Sequence, residues 1–263
     1  MNILSGIVVR DVLRQQLMDY IGTLQTKPEL VIIQVGDNAE STIYIEQKKK
    51  FGKSVGIPVH HIVLPVTITE QEVINTIHTY NADDNIKGII VQLPIPSGIN
   101  TKKILDEISP EKDVDGLGTY SHYIPATARG IMSLCDYYDI GMQGKHVVVV
   151  GRSELVGKPT ALLCLKRNAT VTVCHSYTKN LKEITKQADI LIVACGKLQY
   201  ITSEFVSAGQ VVIDVGIHRT EHGLCGDVDM ESVKHIVGSI TPVPGGVGPL
   251  TVVSLFQNVC DIM

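Results

Sequence analysis

The chain of 263 residues is defined first by what it lacks. No apolar run approaches the about 20 residues that a membrane span needs, and the N-terminus has no basic stretch followed by a long apolar one, so neither a spanning helix nor a signal peptide is expected. No excess of Lys and Arg exists: the formal net charge is −4, which gives no basic face for nucleic acid. The six cysteines (135, 164, 174, 195, 225, 260) are scattered, with no Cys-x-x-Cys, and most sit in apolar runs. Such thiols act as small hydrophobes, so a disulfide framework is not expected and a reducing, cytoplasmic setting is. No internal repeat beyond a shared α/β rhythm and no low-complexity linker interrupts the chain. With 44% hydrophobic and 19% charged residues it reads as an ordinary α/β protein, long enough for one large or two modest domains.

What is present is a rhythm of buried-type strands and helices. Positions Val8, Leu13, Leu17 and Ile21 give residues 5–24 helical periodicity. Leu30 to Gly36, Val59 to Pro65 and Gly88 to Leu93 read as strands, the last stopped by Pro94 and Pro96. Between them lie a polar helix from Ser41 to Val55 and a helix to Asn81 opened by the capping box Thr69-Glu-Gln-Glu72. A short helix follows at Lys102 to Ile108, and another from Ala128 to Tyr138 bridges to a second series. That series has strands at 145–151, 170–174, 189–194, 210–216 and 237–241, and an apolar helix from Leu250 to Met263 ends the chain. The fold class is two-domain α/β.

Residues 145–176 carry a strand, glycine turn, helix and strand, the unit that cradles a pyrophosphate on backbone N–H groups. Gly151-x5-Gly157 is not the usual Gly-x-Gly-x-x-Gly, so spacing alone also allows an ordinary βα turn. An NAD-type unit places an acid at the end of its second strand. Here Cys174-His175-Ser176 stands there, and Arg152 lies in the loop, a set that suits a 2′-phosphate and so NADP. His175 either assists or is structural.

Upstream, Tyr44 and Lys48 lie four apart on one helix face with Val55, while Lys49, Lys50 and Lys53 point elsewhere. This is either a solvated lysine run or a partly desolvated lysine beside a phenol, whose lowered pKa suits proton transfer. Gln92 ends a buried strand where α/β sheets bind ligands, or caps that strand. Asp113 and Asp115 flank a valine before Gly116, either binding a polar heterocycle or capping a turn; two acids alone do not argue for magnesium. Three prolines and three glycines within residues 242–249 fix a specific backbone path and let main chain approach a ligand, or make a turn before the last helix.

Together these residues resemble the bifunctional methylenetetrahydrofolate dehydrogenase/methenyltetrahydrofolate cyclohydrolase family. The motifs are Val-Gly-Asp-Asn (35–38), Tyr-x-x-x-Lys (44–48), Val-Gln-Leu-Pro-x-Pro (91–96), Lys-Asp-Val-Asp-Gly (112–116) and Gly-Arg-Ser-x-x-Val-Gly-x-Pro (151–159). They continue with Cys-His-Ser-x-Thr (174–178), Asp-Val-Gly-Ile (214–217), Gly-Asp-Val-Asp (226–229) and Thr-Pro-Val-Pro-Gly-Gly-Val-Gly-Pro (241–249). The resemblance implies a folate-binding catalytic domain over residues 1–117, completed by a C-terminal helix at 250–263, and a Rossmann-type NADP-binding domain over 118–249. It implies Lys48 as the catalytic lysine, Tyr44 stacking on the pterin, Gln92 tuning the lysine and Asp115 holding the pterin. Pro244 and Gly248 match folate contacts, and Gly151, Arg152, Ser153, Ser176 and Ile217 match NADP contacts. No metal is expected, and a homodimer through the cofactor domain is. The implied reactions are NADP-dependent oxidation of 5,10-methylenetetrahydrofolate and hydrolysis of the methenyl product to 10-formyltetrahydrofolate, with nicotinamide and folate facing each other across a cleft.

The chain departs from the family in having Pro125-Ala-Thr-Ala128 where Pro-Cys-Thr-Pro is usual, Ala39-Glu40 where Pro-Ala is common, and a short end after the last helix. A single-activity enzyme of the same family stays open. A shikimate-dehydrogenase-type oxidoreductase would not need Tyr44, Lys48, Gln92 and the 241–249 loop together. A non-catalytic NADP sensor could dispense with Lys48 or Asp115, and both are present.

Overall fold

The structure, a computed structural model, describes residues 1–221 and 223–261 and, of Glu40, the backbone alone. In chain order it forms β1 (Asn2–Ile3), α1 (Gly6–Thr23), β2 (Glu29–Val35), α2 (Ala39–Val55), β3 (Val59–Leu64), α3 (Glu70–Asn81), β4 (Ile86–Val91), α4 (Thr101–Asp106) and α5 (Ala126–Tyr137). There follow β5 (His146–Val150), α6 (Gly157–Lys166), β6 (Thr170–Cys174), α7 (Leu181–Lys186), β7 (Ile190–Val193), a 3-10 turn (Ser203–Phe205) and β8 (Val211–Asp214). The chain closes with β9 (His218–Thr220), β10 (Gly223–Cys225), α8 (Met230–Val233), β11 (Ser239–Ile240) and α9 (Gly248–Val259). Residues 262–263 of the expected last helix lie outside the described residues.

These elements make two units, Val12–Ala126 with Val252–Met263, and Met1–Asp11 with Thr127–Thr251. The first unit is built on a parallel sheet in the order β3-β2-β4. Its central strand carries Leu30, Val31, Ile32 and Ile33, all fully buried, because both faces of a parallel sheet are covered. Val73, Ile74 and Ile77 of α3 pack on it. The capping box forms as expected: Thr69 Oγ1 accepts the Glu72 N–H at 3.3 Å, and the Glu72 carboxylate accepts the Thr69 N–H at 2.9 Å. From α9, Phe256 stacks on Phe51 with centroids 5.1 Å apart, and the Asn258 side chain donates to the Val114 and Ile124 carbonyls at 2.8 and 3.1 Å.

The second unit holds a six-stranded parallel sheet, β1-β11-β8-β7-β5-β6, and the small hairpin β9-β10. Residues 1–11 go with this sheet rather than with the first, because Asn2 and Ile3 pair in parallel with Ser239 and Ile240. A two-residue strand is too short to show periodicity in the sequence. Counted from β5, the order of the five strands from β6 to β11 is 2-1-3-4-5, one of the doubly wound arrangements. The first unit's β3-β2-β4 is the same 2-1-3 start. In such sheets ligands sit beyond the carboxyl ends where the order reverses. Those points are the ends of β2 and β4 in one unit and of β5 and β7 in the other. Among the described residues no helix is long and apolar enough to cross a membrane.

Candidate functional site

At the reversal point of the first unit, α2 supplies the lysine. Its buried positions are Ser41, Ile45, Gly52 and Val55, a helical stripe, and Lys48 falls on it. Asn38 starts the helix by accepting the Ser41 N–H at 2.9 Å, and Gly56 ends it at φ 82°. Ser41 Oγ donates to the Leu93 carbonyl at 3.3 Å, tying the first turn of α2 to the loop after β4. That loop presents Gln92, whose Nε2 donates to Leu93 O at 3.0 Å, which leaves Oε1 facing Lys48 Nζ at 3.1 Å. Burial pushes the Lys48 ammonium below the usual lysine range, and the Asp115 carboxylate partly opposes this. Tyr44, one turn earlier, is half exposed at 51%. Lys50 and Lys53 are exposed, and Lys49 pairs with Glu46 at 2.5 Å. Of the two sequence alternatives, the desolvated lysine is the one found.

The acids of 112–116 divide their tasks. Lys112 is buried and donates to the carbonyls of Tyr80, Asn81 and Asp83 at 3.2, 2.7 and 2.8 Å, closing the C-terminal end of α3. Asp113 is buried and caps the turn, accepting the N–H groups of Gly116 and Gly118 at 3.2 and 2.7 Å. Burial pushes its carboxyl above the usual range. Gly116 has φ 72°, and a Cβ there would lie 2.7 Å from the Pro125 nitrogen, so the chain must turn on glycine. Asp115 is left half-buried with its charge acting on Lys48. Nothing in the sequence marks Asn38, Ser41 and Lys112 as site builders, although each lies in or beside a quoted motif, whereas Asp113 takes the turn-capping alternative that the sequence offered.

In the second unit, Gly151 follows β5 at φ 123°, and a Cβ there would lie 2.0 Å from the Ala194 carbonyl oxygen beyond β7. A Cβ on Gly157 would meet Gly151 O at 2.3 Å. The turn therefore excludes side chains at both glycines, a cradle that main chain alone can line. Ser153 Oγ accepts the N–H groups of Val156 and Gly157 at 3.2 and 3.3 Å, setting the start of α6. Arg152 and Ser176 are exposed, with no carboxylate at the end of β6. His175 is held in its turn: its Nδ1 accepts the Tyr177 N–H at 3.2 Å and its own N–H donates to Thr178 Oγ1 at 2.8 Å. Ile217 is 49% exposed, and its Cδ1 lies 3.3 Å from the Cβ that Gly248 lacks. One position matched to the cofactor and one matched to folate are thus neighbours. Pro244 is exposed on the loop before Gly248, after a cis peptide bond. A guanidinium, two hydroxyls and a side-chain-free turn form a donor set that fits the phosphates of NADP.

Comparison with known proteins agrees with both halves of this arrangement. A family model for the tetrahydrofolate dehydrogenase/cyclohydrolase catalytic domain matches residues 4–115, and one for that family's NAD(P)-binding domain matches residues 125–263. The chain is 46% identical over 272 residues to the bifunctional protein FolD of Bacillus cereus, covering 98% of this chain and 95% of that one. The bifunctional FolD methylenetetrahydrofolate dehydrogenase/cyclohydrolase of Campylobacter jejuni superposes with a TM-score of 0.97 at 39% identity, covering 99% and 98% of the two chains. The FolD of Trypanosoma brucei, solved with NADP cofactor and an inhibitor, gives 0.92 at 31% identity, covering 98% and 95%. This chain belongs to the tetrahydrofolate dehydrogenase/cyclohydrolase family.

Proposed function

We propose that this chain oxidises 5,10-methylenetetrahydrofolate with NADP and hydrolyses the resulting 5,10-methenyltetrahydrofolate to 10-formyltetrahydrofolate. The observation that carries the reading is Lys48, an ammonium on the buried stripe of α2, hydrogen-bonded to Gln92 and under the charge of Asp115. Family membership and the bifunctional relatives support both steps. We assign the folate chemistry to the unit carrying Lys48 and the end of α9, and the cofactor to the unit carrying Gly151.

The oxidation asks for positioning more than for acid–base work, because a nitrogen lone pair beside the one-carbon unit stabilises the cation as hydride leaves. NADP, when bound, accepts that hydride. Gly151 and Gly157 give its pyrophosphate main chain to lie on, Ser153 and Ser176 supply hydroxyls, Arg152 meets the 2′-phosphate, and Ile217 offers an apolar side. For folate, Asp115 holds the pterin and the half-exposed Tyr44 ring stacks on it, and the family motif assigns Pro244 and Gly248 to folate contacts as well. In the hydrolysis a water oxygen bonds to the methenyl carbon, the bond from that carbon to one ring nitrogen breaks, and one proton is released overall. Lys48 takes a proton from the water as an amine and returns one to the departing nitrogen as an ammonium. Desolvation and Gln92 keep its two charge states close enough for both transfers.

The chain also assembles as a homodimer in this reading. Leu162 and Leu165 of α6 and Val173 of the edge strand β6 are 60%, 52% and 38% exposed, apolar side chains left uncovered on the cofactor unit. Free thiols at all six cysteines suit the cytoplasm, and the net charge suits a small-molecule partner rather than nucleic acid.

One spectrophotometric assay tests the function: methylenetetrahydrofolate plus NADP, following NADPH and the methenyl chromophore separately. The parent produces NADPH without accumulating methenyl product. Lys48→Met produces NADPH and accumulates it, because hydrolysis is lost while folate still binds. A Lys48→Met protein that hydrolyses at the parent rate refutes the assignment.

A further inference from the structure

In Asp-Val-Gly-Ile (214–217) and Gly-Asp-Val-Asp (226–229) the sequence gives Asp214 and Asp227 no evident task. The fold brings these two acids together at the carboxyl ends of β7 and β8. Asp227 is fully buried. Its Oδ2 accepts the N–H groups of Cys195 and Gly196 at 2.7 and 2.8 Å, and its Oδ1 lies 2.7 Å from His218 Nε2. Asp214, also buried, accepts Gly216 N–H at 2.9 Å and Asp227 N–H at 3.0 Å on Oδ1, and Val228 N–H at 2.9 Å on Oδ2. The motif glycines follow from these carboxylates. A Cβ on Gly216 would lie 2.4 Å from Asp227 Oδ1, and one on Gly226 would lie 1.8 Å from Asp214 Oδ2. A buried carboxylate is costly unless amides satisfy it, and here amides from separate loops do so.

What these bonds hold is the rim of the cofactor turn. The loop after β7 begins at Ala194, whose carbonyl presses on Gly151. Its next two amides hang from Asp227. Ile217 sits between two tethers, Gly216 N–H on Asp214 and the His218 ring on Asp227. Ile217 itself points out, 49% exposed, toward Gly248.

We propose that Asp227, supported by Asp214 and linked through His218, is a positioning residue for NADP. Being fully buried, it cannot touch the dinucleotide; it fixes the peptide at 195–196 and the side chain of Ile217 against which the dinucleotide lies. The proposal rests on the cofactor reading above.

The test is direct titration of the full chain with NADP, reading the dissociation constant by calorimetry, with the melting temperature and the KM for methylenetetrahydrofolate measured alongside. His218→Ala leaves the amide bonds of Asp227 in place, and the ring is 23% exposed, so this variant keeps its fold. It weakens NADP binding about tenfold, the order of a charge-assisted hydrogen bond partly transmitted to the loop, with the folate KM unchanged. Asp227→Ala, where it folds, weakens binding further. Asp227→Asn restores most of the affinity, since its oxygen still accepts both amides and its NH2 meets the other imidazole tautomer. Folded His218→Ala with NADP affinity within twofold of the parent overturns the inference, as does a folate KM that rises in step. A parent that does not bind NADP overturns the proposed function itself, and this inference with it.

Discussion

Asn258 offers the sharpest test of how α9 supports the folate unit. Its side chain is fully buried and donates to two carbonyls, Val114 at 2.8 Å and Ile124 at 3.1 Å. Those carbonyls lie ten positions apart on the loop that carries Asp115, so one amide group straddles the loop. Asn258→Ala removes both donors and leaves one buried acceptor, on Val114, and one part-buried acceptor, on Ile124. Each costs about 1–3 kcal/mol, and carbonyls tolerate it better than N–H groups, so the sum is about 2–4 kcal/mol. At roughly 2–4 °C per kcal/mol for a domain of this size, the melting transition falls by about 4–16 °C. Calorimetry on the full chain reads it as a shift of one transition when the two units melt separately. Asn258→Asp sharpens the argument. A carboxylate cannot donate, so it faces two carbonyl oxygens with like partial charge and is worse than alanine. The hydrolysis rate falls with the stability in both variants, because Val114 precedes Asp115. An alanine variant melting within 1 °C of the parent, or an aspartate variant as stable as alanine, refutes the reasoning.

Two further outcomes follow from the cofactor unit. Arg152→Ser raises the KM for NADP about tenfold, while the KM for NAD changes little, because only NADP carries the 2′-phosphate; equal effects on both in steady-state assays contradict the role of Arg152. Asp214 titrates at about 6 in the fold against an ordinary value of 3.8, burial outweighing its amide bonds. A raised carboxyl contributes stability that is complete below 3.8 and lost as pH rises through about 6. Melting curves from pH 4 to 7 therefore show the parent losing stability relative to Asp214→Asn, and a pH-independent difference argues against that shift.

The strands were legible in the sequence for a simple reason. Runs such as Leu30–Ile33 and Val147–Val150 are apolar at every position because parallel sheets are covered on both faces. What stayed hidden is short or polar: β1, whose two residues show no period, α7 and α8, and the hairpin at 218–225, which starts and ends without apolar alternation. The family resemblance put residues 1–11 with the first domain, and nothing in the sequence signals that Asn2 and Ile3 pair with β11, more than 230 positions away.

The supports of the proposed site were opaque in the sequence. Helical spacing put Tyr44, Lys48 and Val55 on one face but left open whether Lys48 is solvated; the burial of Ser41, Ile45, Gly52 and Val55 around it is a property of the fold. Which of Asp113 and Asp115 faces the lysine depends on the turn at Gly116, a matter of backbone dihedrals that the sequence leaves open. The same division recurs in the other unit. Asp113 takes amides so that Asp115 is free to face Lys48. Asp214 and Asp227 take amides so that Ile217 is free to face outward. In each case the buried acid binds main chain from residues elsewhere in the loop or in another loop, a pattern that no local spacing reveals. An acid in these motifs therefore has two possible tasks, and burial decides between them. The fully buried acid shapes the loop, and a less buried residue beside it, Asp115 in one unit and Ile217 in the other, is the one the proposed function gives to a ligand. Substituting the first should injure function only through the position of the second, which is why affinity and melting temperature have to be read together.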